Sequence, residues 1–263
     1  IVRIQMTQDR PRLRYRLLRN CALQSRRVQG RIRQLEDAVT RWTGDLLDRA
    51  LHDSEKQALS IDLYEASFDP KNDHDGLYAW EERWFERRLP SQPASILIGA
   101  AGAGREAVAL RRLGYEVHAF EPSRRAYQLC RETLGERHVH QASYQDLIES
   151  TLQGKTTRLE LPSDARFDAV LLGWGSFGHV LRRAERFELL RACDRITPAG
   201  PILLSIFEPP GEVERDAPVY TAWGGFLARP TVEELDAHAE ALNRRLIVSL
   251  QSPSHYATLL PQA

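Results

Sequence analysis

The 263-residue chain carries 36 Lys+Arg against 36 Asp+Glu, so its formal net charge is zero, and 42% of its residues are hydrophobic. That apolar content excludes gross disorder and suits one α/β domain with an added subdomain, or two small domains. The charge balance argues against a global attraction to nucleic acid or to an anionic membrane, and no stretch is long and apolar enough to span a bilayer.

Taken in chain order, residues 9–52 read as one helix. Val28, Ile32, Leu35, Val39, Trp42 and Leu46 recur at spacings of four and three. Arg10, Arg12, Arg14, Arg16 and Arg19 make its start basic. This face can be plainly solvated, contact RNA or phosphate, pair two subunits, or pack as a lid. Residues 53–90 read as further helices with a turn at Asp69-Pro70-Lys71-Asn72-Asp73 and an aromatic helix from Leu77 to Phe85. Ser95-Ile96-Leu97-Ile98 is a buried-strand run. A glycine loop and a helix through Ala107, Leu110 and Leu113 follow, capped by Gly114. Val117–Phe120 is a second strand, 124–134 a helix and 139–142 a third strand. Residues 149–166 read as an exposed insertion. Strands at 167–172 and 201–207 flank a helix at 182–196. A cap insertion near 208–230 precedes a helix at 231–242, with Thr231 as N-cap and Glu234 three residues on. Runs 245–250 and 255–260 close the chain as a strand pair. The alternation predicts a parallel, doubly wound sheet.

Cys21, Cys130 and Cys193 are scattered without a CxxC pair. They argue against a disulfide framework or a zinc site and fit a reducing cytosol. With no signal-peptide pattern at the N-terminal end, the expected location is cytoplasmic.

The chemistry concentrates at Gly99-Ala100-Ala101-Gly102-Ala103-Gly104. Small residues between a strand and a helix let a ligand approach the backbone, and the helix start offers unpaired N–H groups. Glu121, at the end of the next strand, can accept both hydroxyls of a ribose. Taken alone, the pattern fits a dinucleotide as well as another nucleoside cofactor.

The residues after the loop resemble the class I S-adenosylmethionine (SAM)-dependent methyltransferases. Ile96 to Glu106 is similar to their first motif, and Glu121-Pro122-Ser123 to the end of their second strand. Ala142 to Leu147 sits where the family places its adenine-contacting loop. Phe167 to Trp174 is similar to the fourth strand, and Leu190 to Gly200 to the helix and turn before the fifth. The resemblance covers residues 94–207. It departs where the family often has an acid (Ile98), a first glycine (Ala100) and an aspartate after the third strand (Ser143).

The resemblance implies a Rossmann-like, doubly wound seven-stranded α/β sheet spanning 91–263, and the aromatic residues Tyr64, Phe68, Tyr78 and Trp80 ahead of it suggest an N-terminal helical lid over 1–90. It implies SAM held by Gly99, Ala100, Ala101, Gly102, Gly104, Glu121, Pro122, Ser123, Ser143, Tyr144, Gly173 and Trp174. Ser176 and His179, beyond the fourth strand, are the candidate catalytic pair. Tyr78, Trp80, Phe177, Tyr220 and Trp223 are candidates to line a substrate cavity. No metal is expected. The reading is methyl transfer to O or N of a small molecule, with no membrane or nucleic-acid partner and with the N-terminal helix available for a homodimer. Four alternatives stay open: an enzyme that cyclises or eliminates the aminobutyrate chain of SAM, a nicotinamide or flavin enzyme, a non-catalytic SAM-binding scaffold, and an RNA methyltransferase using the arginine-rich arm.

Overall fold

The computed structural model describes residues 10–68, 76–162, 164–207, 218–221, 225–249 and 254–262. Two compact units divide at residue 50, one of residues 1–50 and one of 51–263. The first holds a single helix, α1 (Arg10–Ala50). Its six periodic apolar side chains, from Val28 to Leu46, are all exposed. The side chains of Arg10, Arg12, Arg14, Arg16, Arg19 and Cys21 lie outside the described residues, as does the turn at 69–73.

In the second unit, helices α2 (Asp53–Ser67) and α3 (Ala79–Arg88) precede the sheet. They fall in the same compact unit as the sheet. The backbone N–H groups that start each helix find local acceptors. His52 N donates to Glu55 and Tyr78 N to Glu81, each at 2.8 Å.

The sheet is built from β1 (Ser95–Gly99), β2 (Glu116–Phe120), β3 (Val139–His140), β4 (Ala169–Leu172), β5 (Ile202–Phe207), β8 (Arg244–Ser249) and β9 (Ser254–Pro261). Its order is β3-β2-β1-β4-β5-β9-β8. The first five strands run parallel, while β9 pairs antiparallel with both β5 and β8. Ile98 pairs with Ala119 on one side and Leu171 on the other. Both faces are covered, which is why these strands read as continuous apolar runs. Leu97, Val170, Leu172 and Leu204 point into one core with Leu147, Leu189 and Leu235. Ile96, Ile98, Leu171 and Leu203 point into the other with Trp84, Phe85 and Leu110. Adjacent residues face opposite sides, as the period of two requires.

Between the strands lie α4 (Arg105–Arg112), α5 (Arg124–Leu134), α6 (Tyr144–Gln153), α7 (Arg183–Ile196) and α8 (Val232–Ala241). Gly114 follows α4 with φ +97°, and Thr231 Oγ1 accepts from Glu234 N at 3.1 Å, both as the sequence predicts. Arg186, fully buried, donates to both Glu234 oxygens and to the carbonyls of Val180 and Leu181, tying α7 to α8.

The exposed insertion expected at 149–166 forms only in part, with most of 154–166 exposed. Residues to 153 complete α6, which Ser143 caps and Gly154 ends at φ +64°. Leu147, Ile148 and Leu159 are buried in the core, with Leu152 and Leu161 packed against it. The third strand is correspondingly shorter than 139–142. Within the cap insertion, β6 (Val219–Thr221) and β7 (Gly225–Leu227) form a hairpin. Trp223 and Gly224 lie outside the described residues.

Candidate active site

The glycine loop, Glu121 and Gly173 meet at the carboxyl ends of β1, β2 and β4, where open α/β sheets bind ligands. Ala100, Gly102 and Gly104 have φ of +51°, +58° and +92°. A Cβ on Gly104 would stand 2.8 Å from Cys130 Sγ, and one on Gly99 2.7 Å from the Tyr144 ring. These glycines are therefore set by close approach as well as by conformation. Ala101 N donates to Phe120 O at 3.1 Å, which folds the loop back on β2.

Glu121 is 3% exposed. Its Oε2 accepts from Gly102 N and its Oε1 from Ser123 N, both at 2.8 Å. Burial pushes its carboxyl up to about 7, against the lowering effect of these two N–H bonds. Each oxygen retains a second lone pair for a ligand hydroxyl. Pro122 follows, half-buried. Ser123 caps α5 and donates to Glu65 of α2.

Tyr144 and Ser176 meet beside the loop. The Tyr144 and Ser176 hydroxyls lie 2.6 Å apart, and Tyr144 also donates to Gly99 O at 3.3 Å. Ser143 lies next to them but uses its hydroxyl in a capping box with Asp146. After β4, Trp174 takes φ +47°, a left-handed conformation uncommon for an aromatic residue, and is 45% exposed. Its ring stacks on Tyr78 at 5.0 Å with an interplanar angle of 8°. Arg105 lies over both rings, 4.8 Å from the Tyr78 centroid and 5.0 Å from that of Trp174.

Arg105 also bonds Glu81 through two contacts of 2.6 Å and Glu106 at 2.9 Å. Burial alone would lower its pKa, but the two carboxylates raise it. Glu81 and Glu106 are both buried, so the cluster holds two carboxylates against one guanidinium. A Cβ on Gly173 would stand 2.9 Å from Glu106 Oε1, so this carboxylate lies directly against the end of β4.

His179 Nδ1 lies 3.3 Å from the Phe226 carbonyl. A carbonyl partner requires a proton on Nδ1, which leaves Nε2 as the acceptor of the ring. Burial lowers the pKa and favours that neutral form. Phe226 is in turn fixed by α2: its N donates to Ser60 Oγ at 2.9 Å, and Lys56 Nζ lies 5.4 Å from its ring centroid. Further along α2, the Tyr64 hydroxyl would stand 3.1 Å from a Cβ on Gly102. Lys56, Ser60 and Tyr64, at i, i+4 and i+8, form one helix face that runs from the hairpin to the loop.

Not every expected lining residue arrives. Phe177 is fully buried in the core. Trp80 stacks on Trp84 and Tyr256, at 6.0 and 5.7 Å, and packs α3 on β9. Tyr220 packs edge-on against Phe226 at 5.4 Å, and Trp223 lies outside the described residues. The sequence reading passed over Arg105, Glu81, Glu106, Lys56 and Ser60. The position of Arg105 and Glu106 directly after the glycine loop was the available signal.

A family profile described as a methyltransferase domain matches residues 97–204. A search of curated proteins finds no match. Among solved structures, the CcbJ methyltransferase from Streptomyces caelestis is 18% identical, covering 68% of this chain and 93% of its own, with a TM-score of 0.50. A sugar N-methyltransferase from Streptoalloteichus sp. is 18% identical, covering 73% and 90%, with a TM-score of 0.53. Magnesium protoporphyrin IX methyltransferase from Synechocystis, solved with bound SAM, is 13% identical, covering 81% and 98%, with a TM-score of 0.51. The structural likenesses agree on the fold, and the profile match spans the glycine loop, Glu121 and β4, so residues 97–204 are similar to a methyltransferase domain.

Proposed function

We propose that the protein transfers the methyl group of SAM to an oxygen or nitrogen of a small molecule. The observation that carries this reading is Glu121, a buried carboxylate bonded to the backbone of the very loop that must cradle the cofactor. The residues present fit SAM. The loop leaves no room for side chains at Gly99 and Gly104, and Glu121 keeps lone pairs for two ribose hydroxyls. Glu106 supplies the carboxylate that Ile98 does not, and a carboxylate beside the loop suits a cationic ligand.

When bound, SAM supplies an electrophilic methyl on a sulfonium. The chain's own part is mainly positioning. Trp174 and Tyr78 offer aromatic faces beside the cation. Tyr144 and Ser176 form a hydroxyl pair at the end of β1. His179, neutral with Nε2 as acceptor, is the residue suited to take a proton from an O–H or N–H acceptor. The α2 face and the β6–β7 hairpin form a roof that excludes water. A small acceptor is supported by this roof, by the zero net charge and by the sugar N-methyltransferase among the structural relatives. Two buried thiols, Cys130 and Cys193, fit a reducing, cytoplasmic setting.

Calorimetric titration of SAM, beside NADH and NADPH, tests the cofactor. SAM binding that weakens strongly in Glu121→Ala is the expected result, and nicotinamide binding without SAM binding would overturn the reading. Product analysis then tests the reaction. S-adenosylhomocysteine is expected, whereas methylthioadenosine would reassign the enzyme to cyclisation or elimination of the aminobutyrate chain.

A further inference from the structure

The exposed stripe on α1 carries a heptad spacing: Val28, Leu35 and Trp42 stand seven residues apart, and so do Ile32, Val39 and Leu46. A straight helix repeats every 3.6 residues, so a strict heptad stays on one line only if the helix supercoils around a partner. All six side chains are 49–68% exposed. Arg33, Gln34, Asp37 and Arg41, on the opposite face, are polar and exposed, and Thr40 is half-buried. Six large apolar side chains exposed in one line mark an interaction surface.

We infer that a second copy of this chain covers the stripe, and that the two α1 helices form a parallel, in-register, two-stranded coiled coil. The register assigns Ile32, Val39 and Leu46 to the a positions and Val28, Leu35 and Trp42 to the d positions. Ile32 and Val39 at a with Leu35 at d follow the pattern that favours two parallel strands, while Leu46 at a and Val28 and Trp42 at d depart from it. The flanking charges agree. Arg31 falls at g and Glu36 at the following e, the two positions that meet across a parallel pair. Both are exposed and of opposite sign, so a second copy in register presents each Arg31 with a Glu36. In this arrangement both chains leave the coil at the same end, and the coil holds two catalytic units near one another.

Light scattering and analytical ultracentrifugation of the full chain test this. The expected species has twice the 30.0 kDa chain mass. Leu35→Glu with Val39→Glu, both on the exposed stripe, converts it to monomer at the same concentration while SAM affinity is kept. Arg31→Glu alone weakens the dimer, and adding Glu36→Arg restores it. Leu35→Cys in a Cys21→Ser background joins the two copies with a short bis-maleimide, which requires parallel strands in register. A chain that is monomeric at every concentration overturns the proposal, including one that is monomeric and binds anionic vesicles through α1. So does a dimer that survives the double glutamate variant, or one in which Leu35→Cys does not cross-link.

Discussion

The affinity for SAM should depend on pH through Glu121. In the free protein, burial holds this carboxyl at about 7. Only the ionised form can accept both ribose hydroxyls, so binding draws on the ionised fraction, and the apparent Kd rises as that fraction falls. With a pKa of about 7, roughly nine-tenths of the molecules are competent at pH 8 and roughly one-tenth at pH 6. Affinity should therefore weaken about tenfold between pH 8 and pH 6, with uptake of protons from bulk on release of the ligand. Burial also lowers the His179 pKa from its ordinary value, so the ring favours its neutral form. Calorimetry at a series of pH values, in buffers of differing ionisation enthalpy, reads both the affinity and the protons exchanged. Glu121→Gln should bind more weakly and lose the dependence. A parent protein whose affinity is flat from pH 6 to pH 8, or a Gln variant that keeps the slope, would refute the assignment.

Arg186→Met should destabilise the fold by about 3–5 kcal/mol in urea titrations, because it strands the Glu234 carboxylate in the core. Burial alone would raise the Glu234 pKa, but bonds from His238 and Arg186 lower it to about 2. Its stabilising contribution is thus present above the ordinary carboxylate pKa and lost as pH falls through about 2, so parent and variant should converge in acid. Gly104→Ala should lower stability by about 1–3 kcal/mol, from positive φ and from the Cys130 sulfur. Adding Cys130→Ala should recover only part of that in thermal melts, since the backbone strain remains. Burial raises the Cys130 and Cys193 thiols to about 12. At pH 8 both should resist an aromatic disulfide reagent until denaturant is added, which a thiol titration reads directly.

The parts of the site that were legible in the sequence are those set by local spacing. β1, the loop and Glu121 lie within 27 residues of chain (95–121), where strand, turn and ribose acid have nearly fixed offsets. The closing strand pair and the Thr231 cap were legible for the same reason. The α2 face was not, because what gives Ser60 its role is Phe226, 166 residues away, and its polar residues carry no periodic apolar signal. Tyr64 was marked as an aromatic but not as a neighbour of Gly102. Phe177 and Trp80 show the converse: an aromatic residue near a motif can turn into the core, and one sequence does not say which way it faces. α6 could have been found. Ser143, Asp146 and Gly154 spell out its beginning and end, but the polar tail after Gln153 obscured the buried Leu159. Ser143 is also the residue read as replacing an aspartate, and its capping bonds explain why a serine suffices there.

The order of strands bears on how the protein is made. Among the described strands β9 follows β8 in sequence, yet it sits inside the sheet, between β5 and β8. A growing chain that has emerged only as far as β8 can assemble at most the five parallel strands. In that state the edge of β5 is open, and β8 lacks the one neighbour it has in the finished sheet. The register from Ile202 to Phe207 is then completed only once Ser254–Pro261 has been made. An incomplete copy that ends before Ser254 would present an unpaired edge rather than a slightly smaller enzyme, a form open to strand pairing with other chains and to degradation.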